Sequence, residues 1–375
     1  MSIMPKNCKL VLDTFCEVYD LLKDYADEVF WDFSNHEIIP GATYLIGREQ
    51  FTQNHESIRT LIENNIIKVV FSNPAEGSST MLGQLHTCRV TDLAQNKKLK
   101  ILAGGDMDDS YSYLQYDSFL PKLLDYNENI IESSRTDEIY STQNKPYKFL
   151  FLNGRMRPHR KYLIERFHAN SLIEECLWTA LDSNSRGSRI LNFMVNGNDM
   201  MYTQRPHHYL SAQYEVDRYT TIPDSSIPFA KYKRFNDEWG EIYLKAEPYI
   251  DTYFSLVTET VFDYPYTFRT EKIWKPIVMG HPWIVVSNAG FYRDMHTMGF
   301  RSYGHLIDES FDAILDNQTR IERIANVVEE LCAGDLSQFI SEAQEVSKYN
   351  QSLYDEYRIK IRAEFPERFF KFINE

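Results

Sequence analysis

One pattern constrains this chain more than any other. A short, continuously apolar run ends in a polar or glycine-bearing loop and passes into a stretch of helical character, and this happens repeatedly. It is plain in "VVFSNPAEGSSTML" (residues 69–82), in "KLKILAGGDMDDSYSY" (98–113) and in "YKFLFLNGRMRPHRKYLIERF" (147–167). Runs of this kind read as strands at 9–12, 43–46, 67–71 and 99–103, with helical patterns at 16–25, 55–63 and 78–92 among them. A second series has a strand from 147, a helix at 158–169, a strand at 249–257, a helix at 271–279, a strand at 283–286 and a helix at 318–332. Strands that are apolar throughout and alternate with helices imply parallel sheets covered on both faces, hence an α/β fold.

The chain has 375 residues, more than one ordinary core organises, and 43% of them are hydrophobic. Two Rossmann-like domains are therefore expected, at 1–140 and 147–345, with a helical tail at 346–375. The polar stretch 132–146 reads as a linker, and 183–245 is irregular and rich in Tyr, Asn, Pro and Asp. No apolar run reaches eighteen residues, so no membrane span is expected. The first fifteen residues lack the apolar core and cleavage site of a secretory leader. The five cysteines are scattered and none are paired at metal spacing. Together these features suggest a cytoplasmic protein, in the host cytoplasm if virus-encoded. The net charge of −14 disfavours nonspecific nucleic-acid binding. Positive charge is nevertheless concentrated at Arg155, Arg157, His159, Arg160, Lys161 and Arg166. Nothing in the sequence indicates an oligomeric state.

The segment 255–300 is the richest in chemistry. Thr270 is placed to cap a helix whose first turns carry Glu271, Lys272 and Lys275, and Glu259 lies twelve residues before Glu271. A helix N-terminus offers unpaired N–H groups and partial positive charge, which suits phosphate. Glu271 can accept hydrogen bonds from sugar hydroxyls, so acid and cations together suit a nucleotide sugar. In the segment 147–167 a strand runs into Asn153-Gly154-Arg155, with Pro158 at a helix start. Gly154 permits a tight turn. Arg155, His159 and Arg160 would face the crevice at the carboxyl end of the strands and hold a diphosphate. Without a ligand, the same residues read as an ordinary capped αβ unit and a solvated basic helix start.

The 255–300 block resembles the donor-binding region of GT-B glycosyltransferases, in particular the fucosyltransferase-like and phage-type enzymes. The resemblance rests on Thr270-Glu271-Lys272, Lys275-Pro276, Gly280-His281-Pro282 and the strand from Trp283 to Val286. It implies two Rossmann-like domains facing a cleft, with a C-terminal helix packing back on the first. The first domain would bind the acceptor and the second a nucleotide-sugar donor, through Gly154, Arg155, His159, Arg160, Glu259, Thr270, Glu271, Lys272 and Lys275. It also implies sugar transfer to a hydroxyl without a metal, with the nucleotide sugar as co-substrate and no other cofactor. The phage-type likeness suggests a hydroxymethylated DNA base as acceptor, with a glycan or small molecule as the alternative.

Transfer to a hydroxyl needs a base. Asp106 follows Gly104-Gly105 at a strand end, and Glu76 follows Asn73-Pro74 just before Ser78, a candidate helix cap. Each carboxylate also reads as a plain turn or helix-start charge. Asp308 and Glu309 in "GHLIDESFD" fit either a sugar contact or a cap. His207-His208 has no third ligand at useful spacing, and Asp106-Met107-Asp108 matches an Asp-x-Asp pattern only in its bare form. A nucleotide-sugar-binding protein without transfer chemistry, and an epimerase or hydrolase, remain as rival readings.

Overall fold

Strands that are apolar on both faces must pair on both edges and be covered above and below. The computed structural model describes residues 8–121, 123, 133–141, 144–153, 157–178, 190–195, 198–203 and 246–375. It is an α/β molecule with two parallel sheets, of six and four strands, and an antiparallel hairpin. The chain divides into two units, Met1–Pro121 with Tyr266–Arg269 and Glu356–Glu375, and Lys122–Pro265 with Thr270–Asp355.

In the first unit the strands are β1 (Leu10–Asp13), β2 (Glu28–Phe30), β3 (Thr43–Gly47), β4 (Lys68–Asn73), β5 (Leu99–Ala103) and β6 (Tyr113–Gln115). Their order is β2-β1-β3-β4-β5-β6, all parallel. The helices are α1 (Tyr19–Leu22), α2 (Arg48–Glu63), α3 (Ser78–Thr87) and α4 (Thr91–Gln95). Phe51, Ile58 and Ile62 of α2 and Met81 and Leu85 of α3 bury against Tyr44, Ile46, Val69, Phe71 and Ile101 of the sheet. Phe51 stacks on Phe71 with ring centres 4.3 Å apart.

Three local expectations change here. The helix expected over 78–92 is broken, because Arg89 takes a left-handed conformation (φ 56°) and Val90 N–H closes onto Leu85 O at 2.9 Å. Ser78 opens α3 instead of capping it, and the cap position belongs to Gly77. The helix expected over 16–25 shrinks to α1 followed by a 3-10 turn, Lys23–Tyr25.

Two distant segments complete this unit. The second half of the helix Leu336–Asn374 places Phe365 on Tyr116 (4.6 Å) and Phe370 on Tyr25 (5.7 Å). The short segment Tyr266–Arg269 lies along the loops after β4 and β5. Thr267 O accepts from Asp106 N–H at 3.0 Å, and the buried ion pair Arg269–Asp117 measures 3.1 Å. A Cβ on Gly104 would stand 2.2 Å from Pro74 O and 2.9 Å from the Phe268 ring. One on Gly105 would stand 2.5 Å from Thr267 O. The glycine pair is thus the seat of this segment.

In the second unit the strands are β7 (Tyr147–Phe151), β8 (Leu177–Trp178), β9 (Ile190–Val195), β10 (Asn198–Thr203), β11 (Thr252–Thr258) and β12 (Trp283–Val286). The parallel sheet runs β12-β11-β7-β8, and β9 and β10 form the hairpin. The helices are α5 (Ser133–Ser141), α6 (Pro158–Ala169), α7 (Glu247–Ile250), α8 (Glu271–Met279), α9 (Phe291–Thr297), α10 (Asn317–Ala333) and α11 (Leu336–Asn374), of which the first half belongs here. All seven residues of β11 are buried. Gly280 ends α8 in the left-handed region (φ 64°). The next residue, His281, is buried on Ser255 Oγ (2.9 Å) and Thr252 O (2.9 Å). Burial draws the His281 pKa down to about 3, so this ring anchors a turn in its neutral form.

The described cysteines are free thiols. Among the described residues, no helix is long and apolar enough to cross a membrane.

Both sheets share a topological feature. From β1 the chain builds β2 on one side, then returns to place β3 on the other. From β7 it builds β8 on one side and later β11 on the other. Loops leaving such a strand pair diverge and open a crevice at the carboxyl ends, where α/β sheets bind ligands.

Candidate functional site

The carboxyl ends of β7 and β11 carry a dense set of buried polar groups. Thr258, the last residue of β11, donates its hydroxyl to Asn153 Oδ1 at 2.7 Å, just past the end of β7. Glu259 follows with no exposed surface. Its carboxylate accepts from Thr270 Oγ1 at 2.6 Å, Thr270 N–H at 3.1 Å and Thr260 N–H at 3.2 Å. Burial pushes the Glu259 carboxyl above its ordinary value, against Lys272 and the Thr270 hydrogen bonds.

Thr270 caps α8 as its position in the sequence suggests. Its Oγ1 accepts from Lys272 N–H at 3.3 Å and from Lys272 Nζ at 3.1 Å. Lys272 Nζ also lies 2.6 Å from Glu271 Oε1. Burial drives the Glu271 carboxyl upward, but Lys272 and Lys275 outweigh it and hold the group below its usual range. Glu271 is therefore an anion at neutral pH and accepts hydrogen bonds only. The start of α8 thus brings Glu259, Thr270, Glu271, Lys272 and Lys275 together. Two carboxylates already occupy the positive end of this helix, so an incoming phosphate would take Lys272 from Glu271.

His159 and Arg160 are both engaged with the main chain at the end of β11. Both are buried. Arg160 Nη2 donates to Thr258 O at 2.8 Å and Glu259 O at 3.3 Å, and His159 Nε2 donates to Glu259 O at 3.1 Å. The imidazole stacks on Phe262 at 5.1 Å, and burial pulls its pKa down to about 3. These side chains hold the main chain at 258–259, and His159 supplies no cation. Two further residues of the basic run are also engaged. Lys161 lies 3.5 Å from Glu165, and Arg166 grips both Glu329 oxygens at 2.7 Å and Asn326 at 2.6 Å. Gly154, Arg155, His207 and His208 lie outside the described residues.

Arg320 of α10 was not singled out by the sequence. It is buried and donates to Ser287 O (3.1 Å), Phe262 O (2.5 Å), Ile314 O (2.8 Å) and Leu315 O (3.2 Å), and its guanidinium lies over the Phe262 ring at 4.4 Å. It fixes the loops after β11 and β12. An arginine on an amphipathic helix carries no sequence signal for such a role.

Asp308 and Glu309 act locally. Asp308 pairs with Arg323 at 2.6 Å, and its pKa falls to about 2 through that bond and those from Ser310. Glu309 accepts from Ser302 Oγ (2.6 Å) and Tyr303 N–H (2.8 Å), while burial raises its pKa to about 7.

In the first unit, Asp106 and Glu76 lie on the loops after the adjacent strands β5 and β4. The Gln115 amide, oriented to satisfy both neighbours, donates to Asp106 Oδ1 at 3.0 Å and accepts from Arg269 at 2.7 Å. Glu76 lies 3.7 Å from Arg48, the first residue of α2. Among the described residues, no group of three His, Cys, Asp or Glu side chains is arranged to hold a metal ion. No family model matches the chain, and no curated protein or solved structure matches it significantly.

Proposed function

We propose that this protein is a nucleotide-sugar-dependent glycosyltransferase of GT-B type whose donor binds at the start of α8. One observation carries the reading. The loop after β11, at the crossover of the four-stranded sheet, ties a capped helix start to a hydroxyl-accepting carboxylate and two lysines within five residues. Glu271 would take ribose or sugar hydroxyls. Lys272, Lys275 and Arg155 would neutralise the diphosphate, with the helix N-terminus contributing its partial charge. As the bond from the anomeric carbon to phosphate breaks, these groups stabilise the charge on the departing nucleoside diphosphate. The acceptor oxygen forms the new bond to that carbon and gives its proton to a carboxylate, with Asp106 and Glu76 as candidates. The acceptor is a hydroxyl of a hydroxymethylated DNA base, or of a glycan or small molecule. Lys161 and Arg166 of the basic run are met by Glu165 and Glu329, which supports the glycan or small molecule.

Calorimetry with UDP, GDP, ADP and TDP tests the donor site. Binding of at least one is expected, with affinity falling on Lys272→Ala by a factor of ten or more, since a hydrogen bond to a charged group contributes roughly 1.5–3 kcal/mol. Failure of all four to bind, or unchanged affinity in the variant, would remove the assignment.

A further inference from the structure

We infer that the first unit carries a ligand site of its own, for a neutral hydroxyl-bearing ring such as a sugar, where the loop after β1 parts from the start of α2. The position follows from strand order. β1 and β3 are the neighbours from which the chain departs in opposite directions, so the crevice at their carboxyl ends is where a sheet of this kind takes a ligand. A cavity of about 480 Å³ opens there, lined by Asp13 at the end of β1, by Phe15 and Glu17 from the loop that follows, and by Arg48, Glu49 and Thr52 among the residues of the first turns of α2. Its size lies in the roughly 300–1,000 Å³ range of small-molecule sites.

The floor of the cavity is rigid. Asp13 is fully buried, and its two oxygens accept from Gly47 N–H and Phe15 N–H, each at 2.9 Å, so one carboxylate ties the end of β3 to the loop after β1. A Cβ on Gly47 would stand 3.1 Å from Asp13 Oδ2 and 3.4 Å from Cys16 Cα, so the end of β3 and the loop after β1 approach closely there.

The lining indicates the class of ligand. Asp13 is spent on the backbone, so Glu17 and Glu49 are the carboxylates left to face one cation, and that cation, Arg48, is shared with Glu76 at 3.7 Å. The balance repels phosphate even beside the start of α2, and it offers many acceptors for hydroxyl groups. Phe15 stands on the rim with 64% of its surface exposed. Trp31, 70% exposed, follows β2 at the same end of the sheet, because Phe30 is the register partner of Asp13. Of these two rings, Phe15 lines the cavity and is the one that a ligand there would meet. A ring face is electron-rich and suits the C–H face of a pyranose, while the carboxylates, Thr52 and Gln53 suit its hydroxyls. This inference stands apart from the donor reading, since it concerns binding without nucleotide by residues of the first unit.

Saturation-transfer NMR on the full chain tests it, using a mixture of the methyl glycosides of glucose, galactose, mannose and N-acetylglucosamine without nucleotide. Saturation of at least one glycoside is expected. Phe15→Ala should weaken that binding roughly three- to tenfold. Thr52→Trp, at an exposed helix position, should fill the cavity and abolish it. Both changes lie on the surface, and circular dichroism would verify folding. Lys272→Ala should leave glycoside binding intact, which supports this site whether or not that variant still binds nucleotide. Silence from all four glycosides, saturation that survives both Phe15→Ala and Thr52→Trp, or displacement of the glycoside by inorganic phosphate would overturn the inference.

Discussion

Glu259 shows how one buried residue organises the candidate donor site. Its carboxylate holds the backbone and hydroxyl of Thr270, and Thr270 in turn holds Lys272. Glu259→Ala would leave these donors unpaired in a dry site. A loss on the order of 1–3 kcal/mol in urea denaturation is expected, with weaker nucleotide binding in the same variant. Unchanged stability would show that Thr270 does not depend on this carboxylate. Glu309 gives a test in pH. Burial raises its folded pKa from the ordinary 4.5 to about 7. Between those values the folded protein holds a proton that the unfolded chain has released, so this residue's stabilising contribution is complete below about pH 4.5 and is lost as pH rises through 7. Glu309→Gln should flatten that part of the stability profile, as read by thermal melts from pH 4.5 to 8. A wild-type slope retained in the variant would show that another group titrates there. The Thr270 cap is legible in the sequence because capping is local chemistry. The roles of Arg160 and Arg320 are not, because nothing in a one-dimensional pattern shows that a guanidinium will be buried among carbonyls.

At the scale of elements, the alternation of strands and helices was readable because each depends on periodicity within a few residues. Strand order and the path of residues 266–269 were not, because both depend on partners far away in the chain. The Gly104-Gly105-Asp106 turn shows the difference. In the sequence it suggests backbone freedom beside a base, whereas in the structure the glycines admit Pro74 O, Thr267 O and the Phe268 ring. Gly104→Ala would force its Cβ to within 2.2 Å of Pro74 O, so the segment or the turn must shift. Overpacking of this kind typically costs about 1–3 kcal/mol. The variant is expected to melt several degrees lower and to become more open to proteolysis near residues 266–269. A melting temperature equal to the wild type would show that the turn relaxes freely. The glycine pair therefore has a sufficient structural reason, and any catalytic role for Asp106 has to be shown by Asp106→Asn in a transfer assay.

For the whole molecule, each parallel sheet has its own crossover, and the two crossovers are chemically unlike. The one at β7 and β11 sets Lys272 and Lys275 beside Glu259 and Glu271 at a capped helix start, while the one at β1 and β3 sets Glu17 and Glu49 against Arg48 beside an exposed aromatic ring. Positive groups suit a diphosphate, and the acidic pocket suits a neutral polyol. This contrast, with the net charge of −14 and the engagement of Arg160, Lys161 and Arg166 by protein acceptors, bears on the acceptor. Binding that depends on neutralising phosphates weakens steeply with salt, whereas recognition of a neutral sugar barely responds. The test is a competition, in which the protein, a panel of nucleotide sugars, DNA containing hydroxymethylcytosine and the four methyl glycosides are incubated together and analysed by mass spectrometry. The sugar adduct is expected on a glycoside, at a rate that changes little between 50 and 200 mM salt, a range over which phosphate-driven binding weakens by orders of magnitude. EDTA should not abolish it, because Lys272, Lys275 and the helix start would already meet the charge of the leaving diphosphate. An adduct on the DNA alone, suppressed by salt, would make a modified base the acceptor. Activity lost in EDTA and restored by manganese would show that a metal, and not these lysines, neutralises the diphosphate.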